Sequence, residues 1–232
     1  MNARLSAPFV PCDFDAVLLA GGGHAAEVYS YWRELEARGL APRLLGIIDE
    51  VLPVGPWNET HILGDFGTLA RLVAARGVPL RYLTAVGNNR LRQTLVAKAE
   101  AAGLKEAYTL VHPMTTIGQH VSLGEGTLLA PGSLVTTRTR IGRHCLLNVK
   151  ASVSHDCEVG DFVNLNPGCT ICGSVRIGEG AFIGAGATVI NGVSIGQWTV
   201  VGAGAVVVRN LPDFVTAVGV PARVIKRQPL PG

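Results

Sequence analysis

The sequence predicts two units in one chain, an α/β domain of Rossmann type followed by an all-β parallel β-helix. Three observations carry that prediction. From Ile117 onward every sixth residue is aliphatic, the residue four places after it is nearly always small or β-branched, and before this array apolar strand-like runs alternate with helical stretches.

The six-residue period runs through Ile117, Leu123, Leu129, Val135, Ile141, Leu147, Val153, Val159, Leu165, Ile171, Ile177, Ile183, Val189, Ile195, Val201 and Val207 without a break. Ile, Leu and Val make up about a quarter of such a chain, so chance agreement over this run is negligible. The slot four residues on holds Val121, Thr127, Ser133, Thr139, Cys145, Ala151, Cys157, Val163 and Cys169 in turn. A glycine often follows the aliphatic, as at Gly118, Gly124, Gly142 and Gly160, which reads as a short flat strand and then a turn needing permissive φ. Three hexapeptides make one triangular coil of about 18 residues, and coils stack as parallel strands about 4.8 Å apart. The β-helix is assigned to residues 111–212 and a closing tail to 213–232.

The preceding unit is assigned to residues 16–110, after a short extension over 1–15. AVLLAGGGH (16–24) is an apolar strand running into three glycines, and the helical stretch that follows stops at Gly39. Strand-like runs at 43–50 and 81–88 alternate with helical stretches at 65–77 and 89–103, the spacing of a small parallel sheet. Gly21, Gly22 and Gly23 lack the full dinucleotide spacing, but they place backbone amides at a helix N-terminus, a site for a phosphate. Asp49 and Glu50 close the second strand, where such folds contact a ribose or base.

Composition excludes several classes. With 48% hydrophobic and 16% charged residues the 232-residue chain is too apolar for disorder, and its net charge of +3 is scattered, with no patch for nucleic acid. No apolar run is long enough to cross a membrane and the N-terminus has no h-region, so the chain is read as soluble and cytoplasmic. The five cysteines, Cys12, Cys145, Cys157, Cys169 and Cys172, are an odd number outside any paired CxxC zinc arrangement, which suits a reducing compartment. His112, His120 and His144 form no compact ligand set, and no metal is expected.

The ordered set GGGHA (21–25), IIDE (47–50), VGNNRLR (86–92), VHP (111–113), the hexapeptide array, SHDCEVGD (154–161) and GVPA (219–222) resembles the bacterial hexapeptide-repeat N-acetyltransferases of nucleotide-linked 4-amino sugars. The wider group includes sialic-acid O-acetyltransferase-like proteins. The resemblance implies a left-handed β-helix, acetyl-CoA as cosubstrate, and a homotrimer with active sites between subunits. It implies His155 as general base with Asp156 orienting it. A histidine can accept the proton an attacking amine loses at neutral pH. The same resemblance gives Gly22, Gly23, His24, Asp49, Glu50, Asn88 and Arg90 to the nucleotide sugar, and Asn148, Asn164, Gly173, Ala185, Ala203 and Pro221 to acetyl-CoA. Asn88 has a second reading as a helix N-cap, and Lys150 reads as a phosphate contact or a solvated turn lysine. The implied reaction is direct N-acetylation of a 4-amino-4,6-dideoxy sugar without an acyl-enzyme. O-acetylation of a sugar or sialic acid, and a non-catalytic nucleotide-sugar-binding module, are the alternatives.

Overall fold

The computed structural model describes residues 13–227, which form two compact units. The first comprises the chain up to Ala85 together with Ala97–Ala107; the second comprises Val86–Val96 and the chain from Tyr108 onward. The break therefore does not fall at one point near residue 110. Val86–Val96, a loop and the opening turns of the next helix, packs with the β-helix. Cys12 and the first extension lie outside the described residues.

In the first unit β1 (Asp15–Leu19), β2 (Leu44–Ile48), β3 (Gly55–Trp57), β4 (Thr60–Gly64) and β5 (Leu80–Thr84) form one sheet in the order β3-β4-β2-β1-β5. All neighbours are parallel except the β3–β4 pair. Ala16 to Leu19 are fully buried, as expected of a central strand covered on both faces. Helix α1 (Gly23–Ala37) buries Ala25, Val28, Tyr29, Trp32 and Leu35, one stripe at helical spacing. It ends where Gly39, at φ 67, lets Leu40 N–H reach the Leu35 carbonyl and its own N–H reach Glu36, a glycine-closed C-cap. Helix α2 (Phe66–Ala75) starts at Asp65, whose carboxylate accepts from Thr68 N–H at 2.8 Å. The β3–β4 hairpin had no period-2 signature in sequence, since its two strands are short and Asn58, at φ 48, makes the turn.

In the second unit two-residue strands pair in parallel every 18 residues, as in Leu134↔Ser152 and Ser152↔Thr170. They build sheets of six, five and eight strands, the sheets of a three-faced coil that fits a left-handed parallel β-helix. The coils begin one hexapeptide before Ile117, at Leu110–Val111, and the last turn is two residues short, pairing Val200 with Thr216. Arg223–Arg227 then folds back antiparallel on Val215–Val218. The aliphatic and small positions interlock in one buried core.

The small slot does more than save space. Thr127, Thr139, Cys145 and Cys157 each donate to a carbonyl 15 residues on, at 2.9, 2.9, 3.1 and 3.1 Å respectively, tying each coil to the next. Burial pushes the Cys145 thiol up to about 12, so it stays protonated and remains a donor.

The glycines that follow the aliphatics serve a purpose other than the permissive φ expected of them. None of Gly118, Gly142 and Gly160 has a left-handed φ, yet a Cβ on Gly118 would sit 1.6 Å from the Thr136 carbonyl oxygen and one on Gly142 2.6 Å from Gly160 C. They are required by the close approach of neighbouring coils. The left-handed positions lie two residues later, at Gly132, Gly168, Gly186 and Gly204, but also at His120, Arg138, His144, Lys150, Asp156 and Phe162.

Candidate active site

Three corner columns run along the coils, and each has its own chemistry. One carries His120, Arg138, Asp156, Ser174 and Gly192 at the left-handed position. His155 precedes Asp156 in that column, on the turn after Ser152–Val153. The turn is pinned from both sides: Asp156 N–H donates to the Thr137 carbonyl at 3.1 Å, and the His155 carbonyl accepts from Ser174 N–H at 2.8 Å.

The His155 side chain is about half exposed, with Nδ1 2.8 Å from Asp156 Oδ2. Hydrogen bonds from Arg138 first and His155 second hold the Asp156 carboxyl down at about 2. Asp156 is therefore ionised at neutral pH and can only accept, so Nδ1 carries the hydrogen and Nε2 is the basic nitrogen. Such a pair can take a proton from an attacking amine or hydroxyl.

Gly173 lies one coil beyond, directly against the ring. A Cβ built on it would stand 2.5, 2.6 and 3.1 Å from His155 Cε1, Nε2 and Nδ1. Its φ is not left-handed, so the glycine is needed for the imidazole and not for the backbone. Gly173→Ala forces the half-exposed ring outward, which the fold tolerates, but moves Nε2 by an ångström or more. Turnover is expected to fall about tenfold or more with an unchanged melting temperature, read by steady-state assay beside a thermal melt. An alanine variant with full activity would show that the ring position is not critical.

Comparison with known proteins gives this geometry a context. Residues 174–209 match the family described as bacterial transferase hexapeptide (six repeats). A GDP-perosamine N-acetyltransferase of Escherichia coli O157:H7 is 36% identical over 75 residues, a stretch that is 32% of this chain and about a third, 34%, of that relative. Over a longer span, the chain superposes with TM-score 0.83 on a perosamine N-acetyltransferase from Caulobacter crescentus, solved as a histidine-to-asparagine mutant in complex with CoA and GDP-perosamine. The two are 38% identical over 91% of this chain and 97% of that one. The chain belongs to the hexapeptide-repeat nucleotide-sugar N-acetyltransferases. The acetyltransferase domain of PglB from Neisseria gonorrhoeae, in complex with acetyl coenzyme A, is a further structural neighbour, 27% identical over 92% of this chain and all of that one, with TM-score 0.79. The acyltransferase activity expected from the sequence is that of the family.

The residues that the resemblance gave to acetyl-CoA separate into two groups. Ala185 and Ala203 are exposed and spaced by 18, so they form one column on a second corner, beside the left-handed Gly186 and Gly204; Pro221, also exposed, falls two residues past that column because the last turn is two residues short. A Cβ on Gly186 or Gly204 would meet nothing within 4 Å, so this corner of the acetyltransferase is a bare ridge open along its length. Lys150 stands in the same left-handed column and is exposed.

Asn148 opens the turn that ends in Lys150, on the same corner, but its amide and that of Asn164 are bonded inward. Asn148 Nδ2 donates to Asn164 Oδ1 at 2.8 Å and to the Leu165 carbonyl at 3.0 Å, while Asn164 Nδ2 donates to the Gly87 carbonyl at 2.8 Å. Asn164 is 2% exposed. With its amide spent inside the unit it has no surface to offer a coenzyme, which corrects the expectation for that residue. Its work is to fasten the loop at Gly87 to the coils.

The residues expected at the nucleotide sugar divide in a similar way. Gly22 and Gly23 are exposed at the start of α1, with nothing within 4 Å of a built Cβ, and His24 follows with Nδ1 3.5 Å from Glu27. Exposed backbone N–H groups at a helix start are a geometry that suits an anion. Gly21 is different: a Cβ would meet Leu52 Cδ1 at 2.6 Å. Asp49 accepts from Gly21, Val51 and Leu52 N–H at 2.7–2.8 Å; burial raises its carboxyl, but these three bonds together bring it below the usual range. Most of its acceptor capacity is thus used to brace the glycine turn. Glu50 pairs with Lys98.

Asn88 and Arg90 lie in the second unit. Asn88 Oδ1 accepts from Leu91 N–H at 2.9 Å, which bears out its N-cap reading, and the Arg90 guanidinium stacks on the Trp198 ring 3.6 Å from its centroid. They flank the third corner column, where His144 stacks on Phe162 at 5.2 Å and Trp198 rests on Gly180. Into this corner reaches Arg92, which sequence reading did not single out. Fully buried, it donates to the carbonyls of His144, Val86 and Phe162 at 2.9, 3.0 and 2.7 Å, and Asn89 beside it donates to Gly180 and Ala181 at 2.9 and 3.0 Å. Among the described residues no three His, Cys, Asp or Glu side chains cluster as a metal site would need.

Proposed function

We propose that this protein transfers the acetyl group of acetyl-CoA to the amine of a nucleotide-linked 4-amino-4,6-dideoxy sugar, with His155 as general base. The observation that carries the reading is the His155–Asp156 pair on a half-exposed ring, Nδ1 held by the carboxylate, in a chain of the nucleotide-sugar N-acetyltransferase family. The neutral amine attacks the thioester carbonyl and His155 Nε2 takes the proton it loses. The tetrahedral oxyanion forms near Gly173 N–H, which has no protein acceptor among the described residues. Collapse breaks the carbon–sulfur bond, and the CoA thiolate regains a proton from the imidazolium. No acyl-enzyme is needed. Cys157 lies below the surface with its thiol raised by burial and engaged by the Cys172 carbonyl.

In this reading acetyl-CoA lies along the ridge of Ala185, Ala203 and Pro221. The sugar diphosphate meets the amides at Gly22, Gly23 and His24 in a Rossmann-like first unit. A homotrimer with sites between subunits is part of the same proposal. Ile190 and Val208 support it, since both are exposed and one coil apart on the side that carries the His155 turn. No helix among the described residues is long and apolar enough to cross a membrane, which is compatible with the cytoplasmic placement we propose.

The test is release of CoA thiol from acetyl-CoA against a panel of nucleotide-linked 4-amino and 3-amino sugars and free sialic acid. Turnover of a nucleotide-linked 4-amino sugar is expected. Activity on hydroxyl acceptors alone would make the protein an O-acetyltransferase, and nucleotide-sugar binding without turnover would make it a binding module.

A further inference from the structure

We propose that Arg138 is a positioning residue for the His155–Asp156 pair, clamping both carboxylate oxygens of Asp156 from one coil earlier. Arg138 Nε donates to Oδ1 at 2.6 Å and Nη2 to Oδ2 at 2.9 Å, the planar fork that matches a carboxylate. Oδ2 is the same oxygen that faces His155 Nδ1 at 2.8 Å. One face of the carboxylate is thus held by the arginine while the shared oxygen is aimed at the imidazole.

The fold makes this pairing a matter of register. Arg138 and Asp156 are 18 residues apart and occupy the same left-handed turn position, at φ 49 and φ 59. Arg138 N–H donates to the Gln119 carbonyl at 3.0 Å, and Asp156 N–H to Thr137 at 3.1 Å, so both turns are tied to the coil before them. A short acidic side chain rotates freely at a solvent edge; the fork removes that freedom.

The inference rests on His155 being the base. The other titratable groups around the cluster are His120, Arg140 and Glu158, which line the same cleft of about 390 Å³ as Arg138 and Asp156, and the thiols of Cys157 and Cys172. An ordinary surface ion pair is the competing account. Arg138 is 60% exposed, and exposed pairs contribute little to stability, so its removal leaves the fold intact and separates the two accounts.

The experiment compares wild type, Arg138→Met, Arg138→Lys and His155→Ala as full chains. Steady-state kcat and KM are measured with acetyl-CoA and the amine acceptor beside a thermal melt. In Arg138→Met kcat is expected to fall several-fold with the KM for acetyl-CoA and the melting temperature unchanged, and Arg138→Lys recovers part of kcat. Equal kcat in wild type and Arg138→Met, with His155→Ala impaired, would overturn the positioning role and leave the base in place. A fully active His155→Ala would remove the base and the positioning role together.

Discussion

His155→Ala is expected to lower turnover of the amine acceptor by about 10²-fold or more at neutral pH, without a change in melting temperature. The size follows from what the group does. It removes a proton as the carbon–nitrogen bond forms, and no other basic nitrogen shares the turn. The lack of a stability effect follows from placement, since the side chain is half exposed and its hydrogen bond goes to an exposed carboxylate that Arg138 continues to hold. Steady-state kinetics beside a thermal melt read both. The deficit should narrow as pH rises, because more of the amine then arrives neutral and solvent base becomes competitive. Equal rates in mutant and wild type would take His155 out of the mechanism.

Arg92→Met is expected to have the opposite profile, a large loss of stability. The guanidinium is fully buried, and burial lowers its pKa only to about 10, so it is charged at neutral pH. Among the described residues no carboxylate meets it; its partners are the carbonyls of Val86, His144 and Phe162 and the side-chain oxygen of Asn89. Methionine fills much of the volume but leaves these acceptors dry and unpaired, at about 1–3 kcal/mol each before the relief of no longer burying a charge. A net loss of about 3 kcal/mol is expected, which for a chain of this size lowers the melting temperature by about 6–12 °C. An unchanged melt would show that desolvating the guanidinium costs as much as its bonds return.

These two residues mark the limits of what could be read in advance. The turn position of His155 follows from the hexapeptide period, while its proposed role rests on the resemblance carried by SHDCEVGD, where a proton acceptor stands next to an acid. Arg92 sits in VGNNRLR, where the resemblance gives Asn88 and Arg90 to the nucleotide sugar and assigns nothing to Arg92. The pattern of charged and amide residues there is the same whether they face solvent or cap carbonyls. Only the docking of Val86–Val96 on a corner column shows that Asn89 and Arg92 are committed to Phe162, Gly180 and their neighbours. Asn164 failed in the same way: a polar residue in a strand was read as a ligand contact, and burial with two protein partners makes it a fastener.

By itself the sequence determined the coils. An uninterrupted aliphatic period with a small partner calls for stacked coils of about 18 residues, and through residue 207 it places each turn residue, His155 included, in a column. The strand–helix alternation of the first unit was legible for the same reason, because burial imposes a period on the residues that do it. What needed the tertiary structure was every relation across the period. The clearance that makes Gly142 and Gly173 glycines, the thiol and hydroxyl ties between coils, and the fork of Arg138 on Asp156 all join residues 15 to 18 apart. Such contacts are set by angles and distances between neighbouring coils, which residue type and spacing do not encode.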